Sequence, residues 1–107
     1  VVSCVNGCVY CASVHAQRFE QLAKRNDVIA QVFANPATAG TNAREKAIVA
    51  FSIDLTLSPD AVDAARLQPL IDAGLNDAEI IDLIHAVAIF AWANRLMLSL
   101  GEPAVQK

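Results

Sequence analysis

The stretch from Asn76 to Gly101 constrains the fold more than any other part of this 107-residue chain. Asn76 with Glu79 three residues on has the form of a helix-starting box. In such a box each side chain takes a backbone N–H that the first turn leaves without a partner. No glycine or proline interrupts the run before Gly101, and Pro103 stands just behind it. Both are natural stops after a helix. The expected helix therefore reaches Leu100, and from Ile80 to Trp92 it is apolar almost all round. A helix without a polar face belongs at the centre of a molecule or against another subunit.

Composition extends that expectation. Residues counted as hydrophobic reach 55% without glycine, above the usual ~45–50% that includes it. Charged residues stand at 18%, below the usual ~25%. This balance excludes a disordered tail. It also gives a chain too short for two independent cores more apolar surface than it hides alone. One domain over residues 1–107, assembled as a homo-oligomer, is the expectation. The net charge is −3 and the eight Lys and Arg are scattered, which provides no footprint for nucleic acid or an anionic membrane. The longest uninterrupted apolar run, Ala86 to Ala93, falls well short of the ~18 residues that span a bilayer. The basic start and apolar block of a signal peptide are missing too, so a cytoplasmic location is expected. The chain opens on apolar Val1-Val2 without an initiator Met, as the latter part of a longer polypeptide would.

Punctuation divides the rest. Asn6-Gly7 is a turn. From Cys8 to about Arg25 the pattern is helical, with Cys8, Cys11, His15, Phe19 and Leu22 on one face and Ser13, Gln17, Glu20 and Lys24 opposite. The cysteine and histidine face is thus also expected to face the core. A short helix over Asp27–Ala34 ends at Asn35-Pro36, and Pro36 to Thr41 reads as loop. Asn42 with Glu45 opens a helix through Ala47, Ile48, Phe51 and Leu55. Ser58-Pro59 pairs an N-cap with a proline at the first helical position, and the segment through Leu67, Leu70 and Ile71 stops at Gly74. Alternating runs typical of strands are absent from the sequence, so the class is all-α.

Cys4, Cys8, Cys11 and His15 lie within twelve residues. Cys8-Val9-Tyr10-Cys11 is a C-x-x-C pair at a helix start, a spacing that lets two sulfurs form a disulfide. Free N–H groups and the positive end of the helix dipole favour a thiolate there. His15, one turn beyond Cys11 on the same face, is placed to take or relay a thiol proton. Three other readings stand beside this redox dithiol. The residues have zinc-ligand chemistry, although all four come from one short segment and a structural zinc draws on a second element. The Cys4/Cys8/Cys11 spacing matches that of radical S-adenosylmethionine iron–sulfur sites, which need a far larger α/β barrel. Finally, the cysteines and histidine could simply be small buried residues. The dithiol reading is preferred because the residues occur together, at a helix start after Asn-Gly. Elsewhere His85, Phe51, Phe90, Trp92 and Met97 read as core or interface residues, and Asn94-Arg95 as a candidate subunit contact. Cys4 reads as packing, or as a third thiol in exchange.

At these residues the sequence resembles the AhpD-like alkylhydroperoxidases of the carboxymuconolactone decarboxylase superfamily. Asn6-Gly7-Cys8-Val9-Tyr10-Cys11-Ala12-Ser13-Val14-His15 matches its N-G-C-x-x-C-x-x-x-H core. Arg44 to Leu57, Ser58-Pro59 and Gly74 to Gly101 with Asn94-Arg95 are similar to the peroxidase-related branch. The resemblance implies an all-helical domain forming trimers or hexamers. It implies reduction of small organic hydroperoxides, with Cys11 as peroxidatic thiol, Cys8 as resolving thiol and His15 as proton relay. An external dithiol would be the reductant, and neither metal nor organic cofactor is implied. The superfamily's namesake decarboxylases do not rely on a C-x-x-C pair, so Cys8 and Cys11 speak for the peroxidase branch. Two departures stand out: the family's relay glutamate would fall before Val1, and Tyr10 replaces the histidine that the best-known members carry between the cysteines.

Overall fold

The computed structural model describes residues 1–101, so the reading of Pro103 as a helix stop lies outside the described residues. Among them all regular structure is helical, which agrees with an all-α class. Helix α1 spans Val2–Val5, α2 Val9–Ala23, α3 Asp27–Ala34, α4 Ala43–Leu57, α5 Ala64–Asp72 and α6 Asp77–Leu100. Single 3-10 turns occupy Pro36–Thr38 and Pro59–Ala61.

Helices α4, α5 and α6 make the core, and their ends are well tied. Asn76 accepts from the Glu79 N–H at 2.8 Å and the Glu79 carboxylate accepts from the Asn76 N–H at 3.1 Å, so the box at the start of α6 is complete. At the start of α4 only half of one forms: Asn42 takes the Glu45 N–H, but the Glu45 carboxylate turns to the backbone and hydroxyl of Thr41. Helix α5 ends in a pair of reverse bonds, Gly74 N–H to Ile71 O at 3.0 Å and Leu75 N–H to Leu70 O at 3.1 Å. The left-handed Gly74, at φ 94°, makes that turn possible. Leu70 and Leu75, brought together by it, join Phe51 and Ile80 in the buried cluster. Ion pairs Arg66–Asp54 and Arg44–Glu79, each at 2.9 Å, span α4 to its two neighbours.

The helix expected to start at Ser58-Pro59 begins later. Pro59–Ala61 closes only a 3-10 turn, Val62 is extended, and Asp63 caps α5 by accepting from the Arg66 N–H. The Ser58 hydroxyl makes no cap bond. Asp63 supplies an acceptor in the extended conformation that a cap requires, and it wins the helix start. Helix α1, a single turn before Asn6-Gly7, escaped the sequence pattern because four residues carry no period. It wedges between α4 and α6.

Helix α6 has two faces. Ile80, Val87, Ala91 and Asn94 turn inward, and Leu83, Ile84 and Phe90 lie partly covered against the core. Ile81, Ile89, Trp92 and Leu100 stand exposed on the far side, and Leu98, although on the inner stripe, is exposed near the helix end. By length and composition it is also the one described helix apolar enough to cross a membrane. Its inner face is nonetheless that of a core helix, packed on α4 and α1.

Helices α2 and α3 form an arm. The expectation that the whole cysteine and histidine face meets the core holds only for the first turn of α2. Cys11 and Ala12 are buried, as is Cys8 ahead of the helix, whereas His15, Phe19 and Leu22 are exposed. The reason is that α2 meets the rest of the chain mainly through α1, which is one turn long, so its later turns outrun their support. The long dimension of 48 Å and radius of gyration of 14.3 Å reflect this reach, since a compact chain of this size has a radius near ~13 Å.

Candidate active site

Cys8 ends the Asn6-Gly7 turn and caps α2 from outside the helix, with ψ at 92°. Cys11 is the third residue inside it. The two are joined in a disulfide with Cα atoms 5.3 Å apart, within the ordinary range for such bonds. Positive φ at Gly7, 75°, lets the chain reverse into the cap. The Cys8 N–H is spent on Ser3 O at 2.9 Å, and Cys8 O accepts the Ala12 N–H. The helix pattern leaves the N–H groups of Val9, Tyr10 and Cys11 without intrahelical acceptors. They give the start of α2, where both cysteines sit, a partial positive charge.

His15 lies one turn beyond Cys11 on α2. Its ring meets Phe90 of α6 edge to face, with centroids 4.6 Å apart. It stands between two apolar hollows. One, of about 220 Å³, lies in the arm and is lined by Cys4, Ala12, His15, Phe19, Val28 and Phe33 among others. The other, of about 200 Å³, lies against the core and includes Ser52, Leu83, Val87 and Phe90. Among the described residues no Asp, Glu, Lys or Arg side chain lines either one. Cys4, the free thiol, faces the first hollow, while neither Cys8 nor Cys11 is in the lining. The structure thus bonds Cys8 to Cys11, sets His15 on the same helix and puts Cys4 rather than the pair at the hollow. Among the described residues no group of three or more His, Cys, Asp or Glu is placed to hold a metal ion.

Sequence reading missed two contributors. Asn94, expected at a subunit contact, is fully buried within the chain. Its side chain accepts from Asn6 Nδ2 at 3.2 Å and donates to Ser3 Oγ at 3.0 Å. Phe90, read only as packing, holds the His15 ring. A pattern for Asn94 was present: Ile80, Ile84, Val87, Ala91 and Asn94 continue one helical stripe, so Asn94 falls on the covered side. His85, by contrast, is exposed and bonds only back to Ile81 O of its own helix.

Comparison with known families matches residues 1–54 to the carboxymuconolactone decarboxylase family. The matched half carries α1, the C-x-x-C turn, α2, α3 and most of α4. No curated protein matches the chain.

Proposed function

The chain belongs to the carboxymuconolactone decarboxylase family, and from that premise we propose that it is a thiol peroxidase reducing organic hydroperoxides through Cys8 and Cys11. The observation that carries this reading is the Cys8–Cys11 bond at the N-terminus of α2. A decarboxylase, also at home in this family, has no use for such a pair.

In the reduced protein His15 takes the Cys11 thiol proton, and the thiolate is held by the free N–H groups of the first turn. The thiolate attacks the terminal oxygen of the hydroperoxide and the O–O bond breaks. Cys11 becomes a sulfenic acid, and the leaving alkoxide takes the proton from His15 to depart as alcohol. The Cys8 thiol then attacks the Cys11 sulfur. Its proton and the sulfenic hydroxyl leave as water and the disulfide forms. An external dithiol restores both thiols and is itself oxidised to a disulfide. The net reaction turns one hydroperoxide and one dithiol into alcohol, water and a disulfide. The mostly apolar hollows on either side of His15 suit an organic hydroperoxide.

Assembly as a homo-oligomer belongs to the same proposal. Exposed Phe19, Leu22 and Phe33 on the arm, with Ile81, Ile89 and Trp92 on α6, are apolar surface for which a second copy is the natural cover. The test is consumption of cumene hydroperoxide with dithiothreitol as reductant, with the metal content of the protein measured in parallel. Cys8→Ser and Cys11→Ser are each expected to abolish turnover while the thermal midpoint moves little. Turnover that survives both changes defeats the proposal. Stoichiometric zinc, lost together with the fold in both variants, assigns the cysteines to a metal-stabilised module instead.

A further inference from the structure

We infer that Asn94 is a positioning residue for the dithiol, an inference that rests on the redox reading above. Cys11 is held by α2 itself. Cys8 is not: it precedes the helix, and its place is set by the turn that delivers it. That turn is closed by Asn6 N–H to Val2 O, Gly7 N–H to Cys4 O and Cys8 N–H to Ser3 O. These bonds tie the turn to α1 but not to the rest of the molecule.

Val2 packs α1 on Val87 and Ala91 of α6, and Asn94 adds the polar tie that reaches the turn itself. Asn94 arrives from α6 on a stripe whose other members are apolar, with none of its surface exposed. A buried amide is costly unless its polar atoms find partners. Both find them here, one in the turn and one in α1: the carbonyl takes Asn6 Nδ2 and the amide donates to Ser3 Oγ. Ser3 is held twice over, since its backbone carbonyl accepts the Cys8 N–H. A single side chain on the last helix therefore fixes both ends of the segment that presents Cys8. No other described side chain–side chain hydrogen bond joins the Val1–Gly7 segment to the rest of the fold.

With both thiols reduced, that tie keeps the Cys8 sulfur at the distance from Cys11 where a disulfide closes. Without it the turn samples other positions, and closing the bond must first recover the lost order. Asn94 therefore favours the oxidised form of the pair.

The experiment equilibrates the full chain in buffers of varied reduced-to-oxidised dithiothreitol ratio and reads the Cys8–Cys11 state by alkylation and mass spectrometry. Thermal melts are recorded beside it. Asn94→Ala is expected to shift the midpoint about tenfold towards the reduced form, the scale set by the loss of buried hydrogen bonds. Ser3→Ala, which removes one of the two bonds, shifts it less in the same direction. Leu70→Ala, a core change far from the turn, lowers the melting temperature and leaves the midpoint in place. An unchanged midpoint in Asn94→Ala, with only the melting temperature reduced, overturns the inference. Should Asn94→Ala fail to fold, an unchanged midpoint in Ser3→Ala does the same. A wild-type chain that forms no Cys8–Cys11 disulfide at any ratio removes the dithiol reading itself, and this role with it.

Discussion

In α4 to α6, Phe51, Leu70, Leu75 and Ile80 close on one another, and each helix start carries a side-chain cap. In α2 and α3, Phe19, Leu22 and Phe33 stand in the open, and neither helix start has a side-chain cap bond. Both regions are rich in apolar residues at helical spacing. What separates them is how they are held. The core half is held by buried apolar contact. The arm is held at its far end by polar bonds: Arg25 grips both Asp27 oxygens at 2.7 and 2.9 Å, reaches Glu45 at 3.2 Å and donates to Thr41 at 3.1 Å, while Gln31 takes the Gly40 N–H at 2.8 Å. The cysteine pair sits where the two regimes meet, buried at the start of α2 before the arm loses its cover. Apolar periodicity therefore tells which residues seek cover, and not whether this chain alone supplies it.

The contrast is broken most directly by truncating one leucine from each region. Leu70→Ala, at a fully buried position, is expected to cost about 2–5 kcal/mol. Leu22→Ala, at a position 67% exposed, should stay within about 0.5 kcal/mol of wild type. Urea unfolding of dilute protein checks both, and equal losses would mean that the arm is as much core as the rest.

Two glycines sharpen the comparison next. At Gly40, where the arm joins α4, φ is +122° and an added Cβ would lie 2.8 Å from the Lys46 backbone nitrogen. That atom belongs to α4 and yields poorly, so Gly40→Ala should cost about 1–3 kcal/mol. Gly74 has φ +94° but open space around it. Gly74→Ala should cost about 1 kcal/mol, from backbone conformation alone. Urea midpoints rank the pair.

Caps come third. Asn76→Ala removes a complete box and is expected to cost about 1 kcal/mol. Asn26→Ala, at the start of α3 where the side chain makes no cap bond, should be silent in the same thermal melt.

How much of this was legible depended on whether the cause was local. Asn35-Pro36, Asn42, Gly74, Asn76 and Gly101 mark their helix ends through their own backbone chemistry, and the observed bounds follow them. Ser58-Pro59 misled because a later cap, Asp63, was better placed. The cysteine pair and His15 were legible as a motif, since their spacing over two successive turns needs nothing from the rest of the chain. The exposure of His15 was not legible, because it depends on how short α1 is. The role of Asn94 was hidden for the same reason: its partners lie 88 and 91 residues away in sequence.

The smallest expected effect concerns pH. Asp27 is held below the ordinary carboxylate range, first by its hydrogen bond from Arg25 and then by the Val28 N–H. Glu45 is held low too, first by the Thr41 hydroxyl and then by the Thr41 N–H. Depressed carboxylate pKa values mean that the anchorage is complete above the unfolded-state pKa values and is lost as pH falls through the lower folded ones. Hydrogen-exchange protection factors, corrected for the slower intrinsic exchange at low pH, should fall at α3 amides on acidification through that range before they do at α5. Asp27 is solvent-exposed and Glu45 partly so, so the difference should be slight and should shrink further in high salt.

The central claim is that Cys8 and Cys11 are a redox pair served by His15. Its most direct test treats the reduced, chelator-washed protein with a small organic hydroperoxide and maps the sulfur products by peptide mass spectrometry. The account predicts a Cys8–Cys11 disulfide formed with one equivalent of alcohol, reversed by a dithiol and slowed in His15→Ala. Thiols that stay reduced, or a disulfide that instead recruits Cys4, would contradict it.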